Sequence, residues 1–444
     1  MKKITVAFLL LGAWMTNAQD VQEVTKRDSV KTTSIDSLKE VMNNHSAKFD
    51  GYDERLSEIG GILDKLSKIK ISGYIQAQYE MYDLWSADGQ NHGVNVGTAT
   101  APDYVTNSFF IRRARVKFTY EALDGVKFVL CPNFDIDRVT IKDAYVVLND
   151  RWTNTYSLWV GQFNRPTYEI EYSSASREFA ERSLMTRTLY PTERELGAKL
   201  EADFNTKYNF PLKLQLAVLN GNFGEGAASN QVKDVDNGKD FMARATYAVK
   251  MAEQGLGIDF GAHTYLGNTT VISQTIPPAE FSDVNNSKFA PVVGDKFKKE
   301  LFGGEMQVYY DFLGGMSLKS EYIRGTYSGT TNAAQVNSLF NANKVRNVEG
   351  YYISLVKNVG SKHVASARYD VFDPNTKLSG DDVTTRDDLK YNTWTFAWQY
   401  YFDENVKIMA CYNMPINEKS ANAGADYKTD KRDNTFTLRL QASF

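Results

Sequence analysis

The sequence predicts an all-β protein: a 16-stranded antiparallel transmembrane β-barrel preceded by an α-helical coiled coil. Three observations predict this fold. Sixteen segments of roughly ten residues alternate apolar and polar side chains, as strands do between lipid and a watery lumen. The connections between these segments alternate between short turns and mostly long loops. The chain also ends on Phe444, in phase with the apolar face of the last segment.

The composition excludes several other classes of protein. The 444 residues include 51 Lys and Arg against 54 Asp and Glu, which is not the basic excess that nucleic-acid binding requires. The mean hydropathy of −0.42 argues against a bundle of membrane helices. The two cysteines, Cys131 and Cys411, fall in separate predicted strands, so we expect two unpaired thiols.

The N-terminus carries an export signal. Lys2 and Lys3 precede an apolar run at 4–14, which is followed by small residues. This order predicts a secretory signal peptide over residues 1–18. The polar residues 19–33 predict a disordered linker.

A heptad pattern follows the linker. From Leu38 to Leu66 the apolar positions recur in alternating steps of four and three. A period of 3.5 residues keeps one apolar stripe against a partner helix. The pattern therefore predicts a periplasmic coiled coil over residues 34–68. A single amphipathic helix packed on its own domain is the alternative.

From Lys70 onward the period changes to two, and residues 69–444 predict the barrel. An even number of strands places both ends of the barrel on the short-turn rim, which is the periplasmic one. A secreted β-sandwich is the competing fold, because soluble sheets also alternate. The predicted strands are 70–83, 107–120, 124–134, 138–149, 154–163, 195–205, 210–220, 239–250, 256–266, 302–313, 316–326, 349–358, 363–373, 389–402, 404–414 and 433–444.

The third long loop, 164–194, is the most charged insert in this series. The stretch Gln162–Leu196 contains five arginines and six glutamates. We expect the loop to fold into the barrel mouth and to constrict it. The pair Ser173-Ser174 is expected to cap a short helix that reaches Met185, with Glu178 and Arg182 as an i,i+4 pair.

Side-chain alternation assigns the lumen face of the second strand. Phe110 and Arg112 take the outward parity, whereas Arg113, Arg115 and Lys117 point inward. Arginine and lysine lining a pore attract anions, and a guanidinium can hold two phosphate oxygens. The candidate pore-lining or anion-binding residues are Arg113, Arg115, Lys117, Arg165, Arg177, Arg182, Arg187, Lys199, Arg244 and Arg439. Since the loop itself is nearly neutral, segregated charges and a general polar pore are the alternative.

Four ordered motifs resemble the phosphate-selective porin O and P family. They are FFIRRARVKF at 109–118, IKDAYV at 141–146, LWVGQFNRP at 158–166 and FAERSL at 179–184. The resemblance implies a sixteen-stranded, trimeric outer-membrane porin whose basic residues guide anions and whose third long loop narrows the pore. The heptad region looks like the N-terminal extension of such porins in Bacteroidetes-type bacteria.

The expected function is passive diffusion of small polar solutes, in particular anions such as phosphate, across the bacterial outer membrane. The expected partners are outer-membrane lipid, two further copies in a homotrimer, and the assembly machinery that reads Phe444. No catalytic constellation, cofactor or metal site is expected. The alternative function is a structural surface barrel for adhesion or envelope tethering.

Overall fold

The structure is a computed structural model. It describes residues 55, 68–83, 105–134, 139–190, 193–221, 234, 237–270, 281–282, 288–289, 292, 294–329 and 344–444. The predicted signal peptide and linker lie outside the described residues. So does the predicted coiled coil, apart from Arg55 and Lys68. Residues Ser67–Phe444 form one compact unit.

Sixteen long antiparallel strands of the described residues form a closed barrel. Strands β1–β9 and β12–β18 pair in chain order, and β18 pairs with β1. The strands are β1 (Ile69–Tyr82), β2 (Asn107–Leu123), β3 (Val126–Phe134), β4 (Val139–Asn149), β5 (Tyr156–Asn164), β6 (Arg194–Asp203), β7 (Leu212–Leu219), β8 (Asp240–Met251), β9 (Leu256–Thr270), β10 (Phe281–Ser282), β11 (Lys288–Phe289), β12 (Lys296–Tyr310), β13 (Met316–Gly329), β14 (Lys344–Val359), β15 (His363–Asp373), β16 (Tyr391–Tyr401), β17 (Val406–Asn417) and β18 (Thr435–Ser443).

Each of the sixteen predicted segments coincides with a barrel strand. The largest boundary errors concern the connection predicted at 267–301, because β9 continues to Thr270 and β12 already begins at Lys296. The extra residues are polar and charged, so they resemble a loop in the sequence. Their backbone groups nevertheless pair across the two strands. The short strands β10 and β11 pair with each other between β9 and β12.

The outward face of the barrel is apolar. Along β2, for example, the side chains of Phe109, Ile111, Phe118 and Tyr120 are exposed. The same outward exposure of large apolar residues recurs on the other strands, and both cysteines are buried and free. Apolar side chains directed away from the lumen are what contact with lipid requires. No helix among the described residues is long and apolar enough to cross a membrane.

The closing seam of the barrel joins Gly73 to the C-terminal residue. The amide of Gly73 donates to the carbonyl of Phe444, and the amide of Phe444 donates back, both at 3.0 Å. A Cβ atom on Gly73 would lie 2.5 Å from the ring of Phe444 and 2.5 Å from the carbonyl oxygen of Arg115. The aromatic ring therefore covers the glycine, an arrangement that pins the register of a sheet.

We predict that Gly73→Val destabilises the barrel by about 1–3 kcal/mol, because an added side chain overpacks the seam. The measurement is the temperature at which the folded barrel loses its fast electrophoretic mobility. Gly257→Val is the matched control, since a Cβ there meets only ordinary contacts with Tyr309 at 3.8 Å. Equal effects of the two substitutions would contradict the role of the seam.

The lumen holds the chain between β5 and β6. This segment, residues 165–193, is called the inserted loop below. It contains two short helices, α1 (Tyr168–Glu171) and α2 (Leu184–Leu189). A third, α3 (Asn205–Tyr208), lies in the short turn before β7.

An apolar core inside the barrel fixes both ends of the inserted loop. Its buried residues come from α1, from α2 and from the inner faces of β7, β9 and β12–β16. Met185 and Leu189 are fully buried in it, and α2 contacts β14 and β15. Burial of this size stabilises the loop by roughly 2 kcal/mol for each large side chain.

Candidate constriction site

The inserted loop crosses the lumen between these two anchored ends. Its middle segment, residues 174–181, reaches the walls formed by β1, β2 and β15–β18. The contacts begin at Ser174, whose hydroxyl lies 3.1 Å from Arg115 Nη1, and also bonds the hydroxyl of Tyr74. They end at Glu181, which binds side chains of β2 and β18. The loop therefore touches strands of the wall that are not neighbours of its own entry strands, β5 and β6.

Wall side chains hold the middle segment through its backbone carbonyls. Amide and guanidinium groups that point into the lumen donate hydrogen bonds to five of its carbonyl oxygens. The pairs are Gln76 to Ser174 (3.1 Å), Gln441 to Ala175 (3.0 Å), Gln399 to Glu178 (2.8 Å), Arg439 to Ala180 (2.8 Å) and Arg368 to Glu181 (3.1 Å). These bonds satisfy carbonyls that a helix would have used internally.

The predicted helix from Ser174 to Met185 is therefore wrong. The segment is irregular, and the helix α2 begins only at Leu184, where the Ser183 hydroxyl accepts from the amide of Thr186. The expected Glu178–Arg182 pair does not form. Tertiary hydrogen bonds from the wall outweigh the local helix propensity.

A β-bulge in β2 changes the predicted orientation of two side chains. Gln76 of β1 pairs with Arg113, but the next residue of β1 pairs with Ile111, so Arg112 is the extra residue. As a result Arg112 and Arg113 both reach the inserted loop. Phe110 pairs with the inward Gln78 and so shares its face. The outward assignments of Arg112 and Phe110 are wrong, because side-chain parity changes at a bulge.

Glu181 is the centre of the first group of ion pairs. Arg112 donates to both carboxylate oxygens, with Nε at 2.8 Å and Nη2 at 3.1 Å. Arg113 Nη2 lies 3.3 Å from one oxygen, and Arg439 Nη2 lies 3.2 Å from the other. One loop carboxylate thus joins β2 to β18 across the barrel seam.

Glu193 is the centre of the second group. Arg177 Nη2 donates to it at 3.1 Å, and Arg182 and Arg194 also bind it. Arg194 in turn donates from Nε to Asp143 of β4 at 2.9 Å. The loop is thereby fastened to β4 as well.

These two groups form one arginine cluster, defined as Arg112, Arg113, Arg177, Arg182, Arg194 and Arg439. Six guanidinium groups face two glutamates, and Asp143 is the third carboxylate in contact with them. Arg113 Nε and the Nε and Nη1 atoms of Arg177 are buried without a hydrogen-bond partner among the described residues. The cluster therefore keeps both a positive excess and unused donors.

Arg115 extends this positive surface. Its guanidinium donates to Asn133, Tyr74 and Ser174, which are all neutral. No carboxylate in the described ranges forms an ion pair with it. Its charge is therefore not cancelled locally.

The field of the cluster changes the protonation of its loop residues. Burial raises the pKa of the Glu181 carboxyl, but the attraction of Arg112, Arg113 and Arg439 exceeds this effect and holds the pKa well below its usual range. Burial lowers the pKa of the Arg177 guanidinium to about 10. Near neutral pH both groups are charged, so the excess of arginine persists.

The sequence profile of the phosphate-selective porin O and P family matches residues 89–444. The chain belongs to this family. It is a porin of the bacterial outer membrane, which agrees with the closed barrel and its apolar outer face. No curated protein sequence matches this porin.

Two solved structures share the fold. The high-pH structure of OprB from Pseudomonas putida has a TM-score of 0.52 at 10% identity, covering 87% of this chain and 96% of that one. The outer membrane channel DcaP of Acinetobacter baumannii has a TM-score of 0.50 at 13% identity, covering 85% of this chain and 97% of its own. At these identities the likeness concerns the barrel fold alone.

The remaining predicted site residues of the porin lie apart from the arginine cluster. Arg165 is fully buried and pairs with Glu195 at 2.7 Å. Lys199 lies 3.9 Å from the centre of the Trp159 ring and pairs with Glu201 at 3.3 Å. The others are Arg187 in α2 and Lys117 in β2, both partly exposed, and Arg244 in β8, which binds Glu171 and Glu305.

The far side of the lumen is more acidic. Glu171 and Glu305 share Arg244, while Glu201 binds Lys199 and Lys213. Basic side chains therefore prevail near β1, β2 and β18, and carboxylates balance or exceed them near β6, β8 and β12. This difference lies between parts of the wall, whereas within the inserted loop itself Arg177 and Arg182 lie against Glu193.

The glutamines that hold the inserted loop were missed from sequence. Gln76, Gln399 and Gln441 all occupy inward positions, and all are buried. The signal available was their inward parity. A second signal was the apolar residues Ile323 and Tyr327, at inward positions beyond Glu321 on β13, which mark where the loop packs.

The porin should keep its loop seated in mild acid. Because the folded pKa of Glu181 is depressed, its stabilisation is fully present above the ordinary value of 4.5 and is lost only as the pH falls through the depressed pKa. We predict constant single-channel conductance from neutral pH down to pH 4.5 and a rise only below it. A conductance increase centred above pH 4.5 would contradict this assignment.

Proposed function

We propose that this porin forms a water-filled channel for passive diffusion that prefers small oxyanions such as phosphate, and that these anions bind at the arginine cluster. The observation that carries the proposal is the excess of guanidinium groups over carboxylates. Six arginines meet Glu181, Glu193 and Asp143, and buried donors of Arg113 and Arg177 have no partner among the described residues. Phosphate offers acceptors that match such donors.

The accessible edge of the cluster is formed by Arg112 and Glu181. Their side chains are 37% and 28% exposed, whereas Arg113 is 4% exposed. An anion arriving through the lumen therefore meets Arg112 first. Arg113 and Arg177 lie behind Arg112 and add to the positive electrostatic potential that the anion meets.

The glutamates of the cluster favour release of the solute. Conduction requires binding that is strong enough to admit an ion and weak enough to let it leave. Glu181 and Glu193 compete with a bound oxyanion for the same guanidinium groups. The family description supports phosphate as the solute class.

We further propose a homotrimer in which part of the apolar outer face meets lipid and part meets the neighbouring copies. Phe444, exposed at the end of β18, is the residue that the outer-membrane assembly machinery would recognise. Deleting Phe444 should reduce the yield of folded porin in cells. Refolding of the purified chain in detergent, where the assembly machinery is absent, measures the effect of the deletion on stability separately from its effect on assembly.

Planar-bilayer recording tests the proposed function. The purified porin should give discrete conductance steps, and added phosphate should reduce the chloride current in a saturable manner. Arg112→Gln should weaken this block, whereas Lys298→Gln, a substitution at an exposed residue near the end of β12, should not. Absence of steps would contradict the channel, and steps without phosphate block would contradict the oxyanion site.

A further inference from the structure

Three inward side chains on β9, β12 and β13 form a second cluster, defined as His263, Glu305 and Glu321. Nδ1 of the imidazole lies 3.9 Å from Glu305 Oε2, and its Nε2 lies 3.9 Å from Glu321 Oε1. One donor atom from each residue lies within 4.8 Å of the others. A metal site is not expected from the sequence here, because His263 has no His or Cys near it in the chain.

The register of the sheet brings the three residues together. Glu305 pairs directly with Glu321, and two positions earlier on β12, Gly303 pairs with His263. Like charges directly opposite each other on paired strands destabilise a sheet. Two bare carboxylates are therefore unfavourable here, and a cation or a proton between them relieves the repulsion.

Two glycines leave the room that this cluster occupies. A Cβ atom on Gly303 would lie 2.2 Å from His263 Cε1 and 2.3 Å from its Nε2. A Cβ atom on Gly261 would lie 2.3 Å from Glu305 Oε1. Any larger residue at either position would displace the imidazole or the carboxylate.

The donor atoms of the cluster are buried and unused. His263 is 4% exposed and Glu321 is 1% exposed. Both imidazole nitrogens, Glu305 Oε2 and both oxygens of Glu321 have no hydrogen-bond partner among the described residues. Arg244 binds the other oxygen of Glu305 and leaves Oε2 facing His263. Buried polar atoms are rarely left without a partner, so five of them around one point indicate a missing ligand.

We propose that His263, Glu305 and Glu321 bind one divalent transition-metal ion of the zinc type. One imidazole nitrogen with carboxylate oxygens is a donor set that such ions take, at about 2.0–2.2 Å from each ligand. Two ligands of one ion can then lie up to about 4.2 Å apart. The separation of 3.9 Å between an imidazole nitrogen and the carboxylate oxygen that it faces lies within this limit. Because one ion uses one imidazole nitrogen, the third donor atom, which lies within 4.8 Å of the other two, has to move closer when the ion binds.

A cavity reaches one ligand of this site. Its volume is about 500 Å³, and Glu305 lines it together with Arg244, Asp203 and Asp259. It extends to Asn205 and Asn209 in the short turn between β6 and β7. Its lining contains no residue of the arginine cluster, so a hydrated cation can approach Glu305 without passing that cluster.

A bound ion would fix three strands and one end of the inserted loop. It would join β9, β12 and β13, and Glu305 also binds Arg244, which holds Glu171 of α1. Gln307 of β12 donates to the hydroxyl of Tyr172 at 2.7 Å. The site is thus separate from the proposed oxyanion site and does not depend on it.

The experiment uses the full-length porin, folded in detergent and stripped with a chelator that is then dialysed away. Calorimetric titration with zinc chloride should show one ion per chain, and cobalt(II) should give the absorption bands of nitrogen and oxygen coordination. Glu321→Gln and His263→Gln should each weaken zinc binding by more than about 100-fold. Loss of a residue that only hydrogen-bonds a metal ligand costs at most about that factor.

Matched controls separate this site from surface binding. Glu300→Gln on β12 and His363→Gln on the outer face of β15 should bind zinc as the parent does. No zinc or cobalt binding by the folded parent would overturn the proposal, whatever the variants do. Binding that survives in both Glu321→Gln and His263→Gln would overturn it as well.

Discussion

Glu181→Gln should release the middle of the inserted loop and raise the single-channel conductance. The substitution removes the charge that Arg112, Arg113 and Arg439 share across the barrel seam. Loss of one partner from a buried ion-pair network costs about 3 kcal/mol, because the remaining charges stay desolvated. On the equilibrium between a seated and a released loop, this is a factor of roughly 100.

The measurement is the amplitude and noise of single-channel steps in planar bilayers, with limited proteolysis of the loop as a second readout. Glu178→Gln is the matched control, since that neighbouring loop glutamate binds one base, Lys319. We expect the control to change conductance much less. Identical conductance and protease resistance in Glu181→Gln and the parent would show that Glu181 does not hold the loop.

Arg115→Gln should lower anion selectivity while the loop stays seated. The guanidinium of Arg115 has neutral hydrogen-bond partners only. Its removal therefore lowers the positive potential in the lumen without leaving an unpaired carboxylate. One charge about 8 Å from a passing ion in water contributes about 0.5 kcal/mol, which corresponds to roughly a twofold change in permeability ratio. Glutamine keeps a donor for the neighbouring oxygen atoms.

The permeability ratio of chloride to potassium checks this prediction. The expected pattern is a lower ratio with unchanged conductance noise and unchanged protease resistance of the loop. Lys298→Gln removes an equal charge from an exposed position and should leave the ratio as it is. If the control and Arg115→Gln shift the ratio equally, the position of Arg115 has no special effect.

The strands were predictable from sequence because lipid and water impose a period of two on every one of them. Inward assignments such as Arg113 and Arg115 hold after the bulge at Arg112, whereas Phe110, before it, is on the opposite face from the one expected. A single inserted residue reverses which side chains face the lumen without any change in composition. The sequence pattern around residue 112 therefore does not reveal the bulge.

The inserted loop was predictable in place but not in conformation. Its local sequence favours a helix after Ser174, and the glutamines and arginines of the wall, which are distant in sequence, explain why none forms there. The cluster of His263, Glu305 and Glu321 was hidden for the same reason. Both glutamates lie on the inward face of their strands, but the register that brings His263 beside them depends on the pairing of β9 with β12.

The reversal potential of the parent porin in a potassium chloride gradient tests the central claim most directly. An excess of guanidinium groups at the constriction predicts a sign that corresponds to chloride being more permeant than potassium. Added phosphate should reduce that chloride current. A reversal potential of the opposite sign, with potassium more permeant, would contradict the account.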